Sequence, residues 1–127
     1  MRKIFIIAGL IFLNSWIAFG QNDLEAAGNY FNEAKQNIAE NNFDKATENF
    51  NKASEIYQKH GQTQNFIITE LSLCDLLVGI GKIPEASKKL DNIENLAIEN
   101  FSEKSKIVAH IYTLQGRIDF MTMKNKQ

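Results

Sequence analysis

Cysteine, proline and strand-like alternation of polar and apolar residues are scarce in this chain of 127 residues. The single Cys, Cys74, cannot form a disulfide within the chain. It lies in the apolar run from Leu71 to Val78, which indicates a buried thiol that behaves as a small hydrophobic side chain. One Pro and no alternating strands favour helices, and the length leaves room for one domain at most.

The chain also lacks the patterns that carry enzymatic or nucleic-acid chemistry. Its 14 Lys+Arg against 15 Asp+Glu give no basic excess, which argues against a nucleic-acid partner. His60 and His110 have no second ligand at helical spacing, so a zinc site has no support. The seven glycines occur singly, without a phosphate-binding loop, and no nucleophile elbow is present. We therefore expect no enzyme, no cofactor and no metal.

The first 20 residues have the pattern of a secretory signal peptide. A basic pair at positions 2–3 precedes ten apolar residues at 4–13, and a small-x-small sequence ends at Gly20. This pattern predicts cleavage between Gly20 and Gln21 and resembles the leaders of Gram-negative bacteria. The mature protein, residues 21–127, would be periplasmic or secreted and would meet the membrane only transiently. The alternative is an uncleaved N-terminal anchor, although the apolar stretch is shorter than the ~20 residues of a spanning helix.

The segment 42–57 sets the helical pattern for the remaining chain. Its apolar residues recur at steps of three and four, which places them on one helix face. They alternate between large and small: Phe43, Ala46, Phe50, Ala53 and Tyr57. The pattern returns forty residues later as Ile83, Ala86, Leu90, Ile93 and Ala97. A repeated stripe of this kind predicts stacked helices that approach closely over the alanines.

Turn signals divide the chain after the leader into five helices. The first is predicted from Asn22 or Asp23 to about Glu40, followed by helices over about 44–59, 63–78 and 84–99. The third is too broadly apolar for a surface helix and should be covered on two sides. Ser102 is predicted to cap the fifth helix. The fold class is thus all-α, built from stacked helix–turn–helix units.

The first two helix–turn–helix units, formed by the first four predicted helices, resemble tetratricopeptide repeats in an extended and degenerate bacterial form. The resemblance is carried by Ala34, Phe43, Ala46, Phe50 and Ala53 in the first unit, by Cys74, Ile83, Ala86, Leu90 and Ile93 in the second, with Tyr30 as the first-helix aromatic and Gly116 as the small position of a third unit. It departs from the family in its 40-residue period, against about 34, and in lacking the closing proline. It implies a right-handed α-α superhelix of two full repeats and an incomplete third, which mediates protein–protein contact.

The resemblance also implies an inner face, lined by the first helix of each unit, for a protein or peptide partner. Here that face would carry Phe31, Lys35, Ile38, Ile68, Asp75 and Val78. An apolar groove with one Lys and one Asp suits an amphipathic helix or an extended peptide. The alternative is that these side chains only contact the neighbouring repeat.

The last helix should lack a neighbour on one side. Its apolar residues Ile111, Leu114, Ile118 and Met121 are predicted to be uncovered, which favours self-association through this helix or a longer array. The leading functional prediction is a non-enzymatic exported module for protein–protein interaction. The alternative is the N-terminal part of a larger bacterial sensor, or of a caspase-like protease whose active domain lies beyond the chain.

Overall fold

The protein forms five helices joined by short turns. A computed structural model describes the backbone of residues 2–126 and the side chains of residues 20–126. The helices are α1 (Arg2–Ala39), α2 (Phe43–Lys59), α3 (Thr63–Gly79), α4 (Ile83–Phe101) and α5 (Lys106–Lys124). No strand occurs among the described residues. Consecutive helices pack against each other, and α3 also contacts α5. The predicted all-α array of helix–turn–helix units is confirmed.

Three successive turns are built the same way and recur every 20 residues. The backbone takes left-handed angles at Asn41 (φ 59°), Gly61 (φ 67°) and Gly81 (φ 82°). In each case the next amide donates to a carbonyl five residues earlier, at 2.8–2.9 Å. This is the Schellman arrangement, which satisfies the free carbonyls at a helix end. Identical turns at equal spacing give α2, α3 and α4 the same register.

The bounds of α2, α3 and α4 agree with the sequence prediction to within two residues, but two predicted caps are wrong. The residues Asn22 and Asp23 do not start a helix, because α1 continues through them without a break and the Asp23 carboxylate reaches His60 instead. The residue Ser102 ends α4 with φ 69°, since α4 continues to bury part of Phe101. The cap of α5 is Ser105, whose Oγ accepts from the Val108 amide at 3.2 Å.

Alternating large and small side chains fill the core as predicted. Both Ala46 and Ala86 are fully buried, and so are the neighbouring Phe50 and Leu90. The central helix α3 is buried on two sides and contributes nine buried residues. Because an alanine brings two helix axes close together, the aromatic and branched residues beside it can interlock across the contact.

The predicted exposure of the last helix is wrong for three of its four residues. The side chains of Ile111, Leu114 and Ile118 are 0%, 1% and 6% exposed and belong to the main core. Only Met121 is exposed. The helix α5 packs this face against α3 and α4, so the two preceding helices cover it.

The buried alanines generate the first prediction. Replacing Ala46 or Ala86 with Leu inserts a larger side chain into a close helix contact, which costs about 1–3 kcal/mol. The same change at Ala39, an exposed residue at the end of α1, is the matched control and should shift the free energy of unfolding by less than about 0.5 kcal/mol. Urea unfolding followed by circular dichroism measures all three. Equal tolerance at the buried and exposed alanines would contradict the packing described here.

Candidate partner-binding surface

A buried carboxylate connects the three central helices. The Glu70 side chain on α3 accepts a hydrogen bond from Ser54 Oγ on α2 at 2.6 Å and pairs with Lys89 Nζ on α4 at 3.0 Å. Glu70 is only 7% exposed, so both partners reach it inside the helix contacts. The carboxylate therefore fixes how α2 and α4 lie against α3.

A second carboxylate on α3, that of Asp75, faces α5. The Asp75 Oδ1 atom lies 3.1 Å from His110 Nε2 on α5, and both side chains remain about two-fifths exposed. Glu70 and Asp75 are the only charged residues of α3. Glu70 is buried between the helices, whereas Asp75 stays partly open to solvent.

Beside Asp75 an open, mostly apolar cavity of about 320 Å³ lies where α1 and α3 end. It is lined by Ile38 from α1, Phe43 from the start of α2, Ser72, Asp75, Leu76 and Gly79 from α3, and Ile80 from the following turn. Its volume lies at the lower end of the range of about 300–1,000 Å³ that ligand sites occupy, and other open hollows on the described surface, of about 360–440 Å³, are larger. Gly79 borders its open side, and nothing lies within 4 Å of where a side chain there would begin.

The six residues predicted for the inner face do not all lie on one surface in the structure. Ile38 and Asp75 line the cavity together. The Phe31 ring instead packs edge-on against Phe50 with 5.5 Å between ring centroids, and the Lys35 ammonium lies 6.0 Å from the Phe31 centroid. These two side chains border the first repeat and do not line the cavity.

One of the remaining two predictions is wrong. Val78 is 1% exposed and belongs to the core, so it offers no contact surface. The open side of α3 runs through Ser72, Asp75 and Gly79, so it includes the predicted Asp75 but contains Gly79 in place of Val78. Ile68 is half-buried and lies outside the cavity lining.

Sequence reasoning missed five of the seven cavity residues, and also His110 beside the cavity. The five are Phe43, Ser72, Leu76, Gly79 and Ile80. Phe43 and Ile80 sit at helix boundaries, where a periodic pattern gives no direction to the side chain. Ser72 and Gly79 could have been found from Asp75, since they lie three residues before it and four after it on the same helix face.

The remaining polar groups have structural partners. At the far end of the first pair, His60 Nε2 lies 3.0 Å from Asp23 Oδ2, which ties α2 to α1. Burial, with the negative charge of Glu70 as the next cause, raises the pKa of Cys74 to about 12, so the thiol is unreactive near neutral pH. Within residues 20–126, no three His, Cys, Asp or Glu side chains gather as metal ligands would.

No helix in the described part of the chain is long and apolar enough to span a membrane. Comparison with protein-family models, curated proteins and solved structures gives no match. The surface chemistry must therefore carry the functional argument alone. That chemistry is an apolar concavity with one half-exposed carboxylate at its edge.

Proposed function

We propose that this protein is an exported, non-enzymatic helical-repeat module of tetratricopeptide type, which binds a segment of another protein in the cavity beside Asp75. The observation that supports this most is the combination of an unfilled apolar cavity with a solvent-accessible carboxylate. A segment that carries an apolar side chain next to a basic group could place the first in the cavity and pair the second with the Asp75 carboxylate.

The arrangement of the cavity favours a peptide over a small metabolite. Its lining is largely aliphatic and aromatic, with two polar side chains, Ser72 and Asp75, on one side. The backbone groups of α3 are engaged within the helix, so few directional hydrogen bonds are available to select a small polar molecule. An apolar anchor gains about 1.5–3 kcal/mol on full burial, which suits recognition by side chain.

The cavity yields the second prediction. Peptides selected from a displayed random library should share an apolar anchor with a Lys or Arg nearby. The substitution Gly79→Leu should lower their affinity at least about tenfold, because the new side chain occupies the cavity. Gly79→Ala is the matched control: it adds one methyl group at an open position and should change affinity less than about threefold. Fluorescence anisotropy of a labelled peptide measures both.

A charge reversal at Asp75 tests whether the selected peptides bind at the cavity or elsewhere on the surface. With Asp75→Lys the selected basic peptides should bind at least about tenfold more weakly, whereas Asp91→Lys, on the exposed side of α4, should have little effect. Circular dichroism checks that each variant stays helical. Equal affinity for both charge variants, or a library that yields no binder, would contradict the proposed site.

Export is the second part of the proposal and is compatible with the helix pairing. Among residues 20–126, Gly20 lies beside the His60 ring and the Asp23 carboxylate lies 3.0 Å from His60 Nε2, just after the end of α2. Cleavage before Gln21 would leave the Asp23–His60 contact and the buried Asn37–Asn49 hydrogen bond of 2.8 Å intact. The mature chain would keep the cavity and all of α2 to α5.

The third prediction follows from this cleavage. Intact-mass analysis of protein from the periplasm or the medium should give a chain that begins at Gln21, because the small residues Ala18 and Gly20 match the requirement of signal peptidase. The substitution Ala18→Glu should block processing, whereas Asn22→Gln, outside the small-x-small site, should not. Recovery of the unprocessed chain in the membrane fraction would support the N-terminal anchor instead.

A further inference from the structure

The outward side of α5 carries the largest exposed apolar side chains among residues 20–126. Tyr112, Phe120 and Met123 are 44%, 62% and 67% exposed, although the opposite side of the same helix is buried. From Asp119 onward every residue of α5 is exposed, so the end of the helix extends past its last core residue, Ile118. An apolar surface on an extending helix is typical of an interaction site.

The spacing of this surface is symmetric about a glycine. The exposed residues Ala109, Tyr112, Gly116, Phe120 and Met123 follow at steps of three, four, four and three. On a helix of about 3.6 residues per turn they form one narrow stripe, with Gly116 at its midpoint. Nothing lies within 4 Å of where a side chain at Gly116 would begin, so another helix can approach closely there.

A stripe with this symmetry fits a second copy of itself running in the opposite direction. When two such helices cross at Gly116, Tyr112 of one meets Phe120 of the other, and the small Ala109 meets the long Met123. Each large side chain then finds either an aromatic or a small partner, as close helix packing requires.

We propose that the protein forms a two-fold symmetric dimer through the outer stripe of α5, defined by Ala109, Tyr112, Gly116, Phe120 and Met123. In this dimer the extending end of each α5 lies on the body of the other copy. The stripe faces away from the face buried against α3 and α4, so the association leaves the core unchanged. This proposal does not depend on the peptide site.

The dimer should be weak and concentration-dependent. One helix face buries less than the roughly 800 Å² per partner of a standard stable interface, which places the contact among transient ones. Arg117 lies at the edge of the stripe near the symmetry axis, where it meets its own copy. Added salt should therefore strengthen the association slightly, because it screens this repulsion and favours apolar contact.

The register of the pair can be tested by disulfide formation in the full chain. Ala109 and Met123 lie about 21 Å apart along one helix, too far for a bond within one chain. The double variant Ala109→Cys, Met123→Cys should therefore form a covalent dimer on mild oxidation. The native Cys74 is buried and does not compete. The pair Ala109→Cys, Thr122→Cys, with one cysteine moved off the stripe, is the control and should cross-link at least about tenfold more slowly.

Sedimentation velocity tests the association itself. The protein should sediment as a mixture of monomer and dimer at tens of micromolar, in the range expected of a transient contact. Phe120→Glu should weaken the dimer at least about tenfold. Thr122→Glu adds the same charge to an exposed position of α5 outside the stripe and should change the dimer affinity less than about twofold. A monomer at every concentration would overturn the proposal. A dimer equally sensitive to both variants, or cross-linked equally by both cysteine pairs, would overturn it too.

Discussion

The position of α3 between α2 and α4 depends on one buried carboxylate. Removing Glu70 from water costs on the order of several kcal/mol unless other groups replace the lost hydration. Here Ser54 at 2.6 Å and Lys89 at 3.0 Å supply one partner for each oxygen. Because the donors come from different helices, only one relative arrangement of α2, α3 and α4 satisfies both oxygens. Within residues 20–126, no buried side-chain nitrogen or oxygen is left without a hydrogen-bond partner.

The two proposed binding surfaces lie away from this buried carboxylate. The open cavity beside Asp75 lies near the ends of α1 and α3. The α5 helix closes the stack with one face and leaves the other free. The two proposed surfaces lie on different helices and meet different partners: a peptide with a basic group at the cavity, and a second copy at the α5 stripe. Neither proposal needs chemistry from the buried groups.

Much of the fold follows from the sequence, because its signals are local. Small and large residues at steps of three and four predict the paired helices, and Asn41, Gly61 and Gly81 supply the left-handed turn residues. The errors concern relations between helices. The pattern identified the α5 residues that share a face, but it could not tell that Ile111 and Leu114 face the core while Phe120 faces outward. That choice depends on how α5 crosses α3 and α4.

The binding surface was harder to predict than the fold for the same physical reason. Val78 and Gly79 are adjacent in sequence, yet one is buried and the other lines the cavity. Adjacent residues on a helix point about 100° apart, so the rotation of α3 about its axis decides which of the two is buried, and long-range contacts set that rotation. The burial of Glu70 was not predicted, because a charged residue in an apolar helix is ordinarily expected at the surface. Only its distant partners, Ser54 and Lys89, show that it is part of the interior.

A double-mutant cycle between Glu70 and Lys89 tests the central claim most directly. Urea unfolding is measured for Glu70→Gln, for Lys89→Met and for the double variant, alongside the native chain. If the carboxylate connects α3 and α4 as described, the free energies of unfolding will be non-additive, with a coupling of at least about 1 kcal/mol. Each single change should be more harmful than expected from the double variant, since Lys89→Met leaves the buried Glu70 charge without its counterion and Glu70→Gln leaves the partly buried Lys89 ammonium unpaired. A coupling near zero would contradict the account, because Glu70 and Lys89 would then contribute independently of each other.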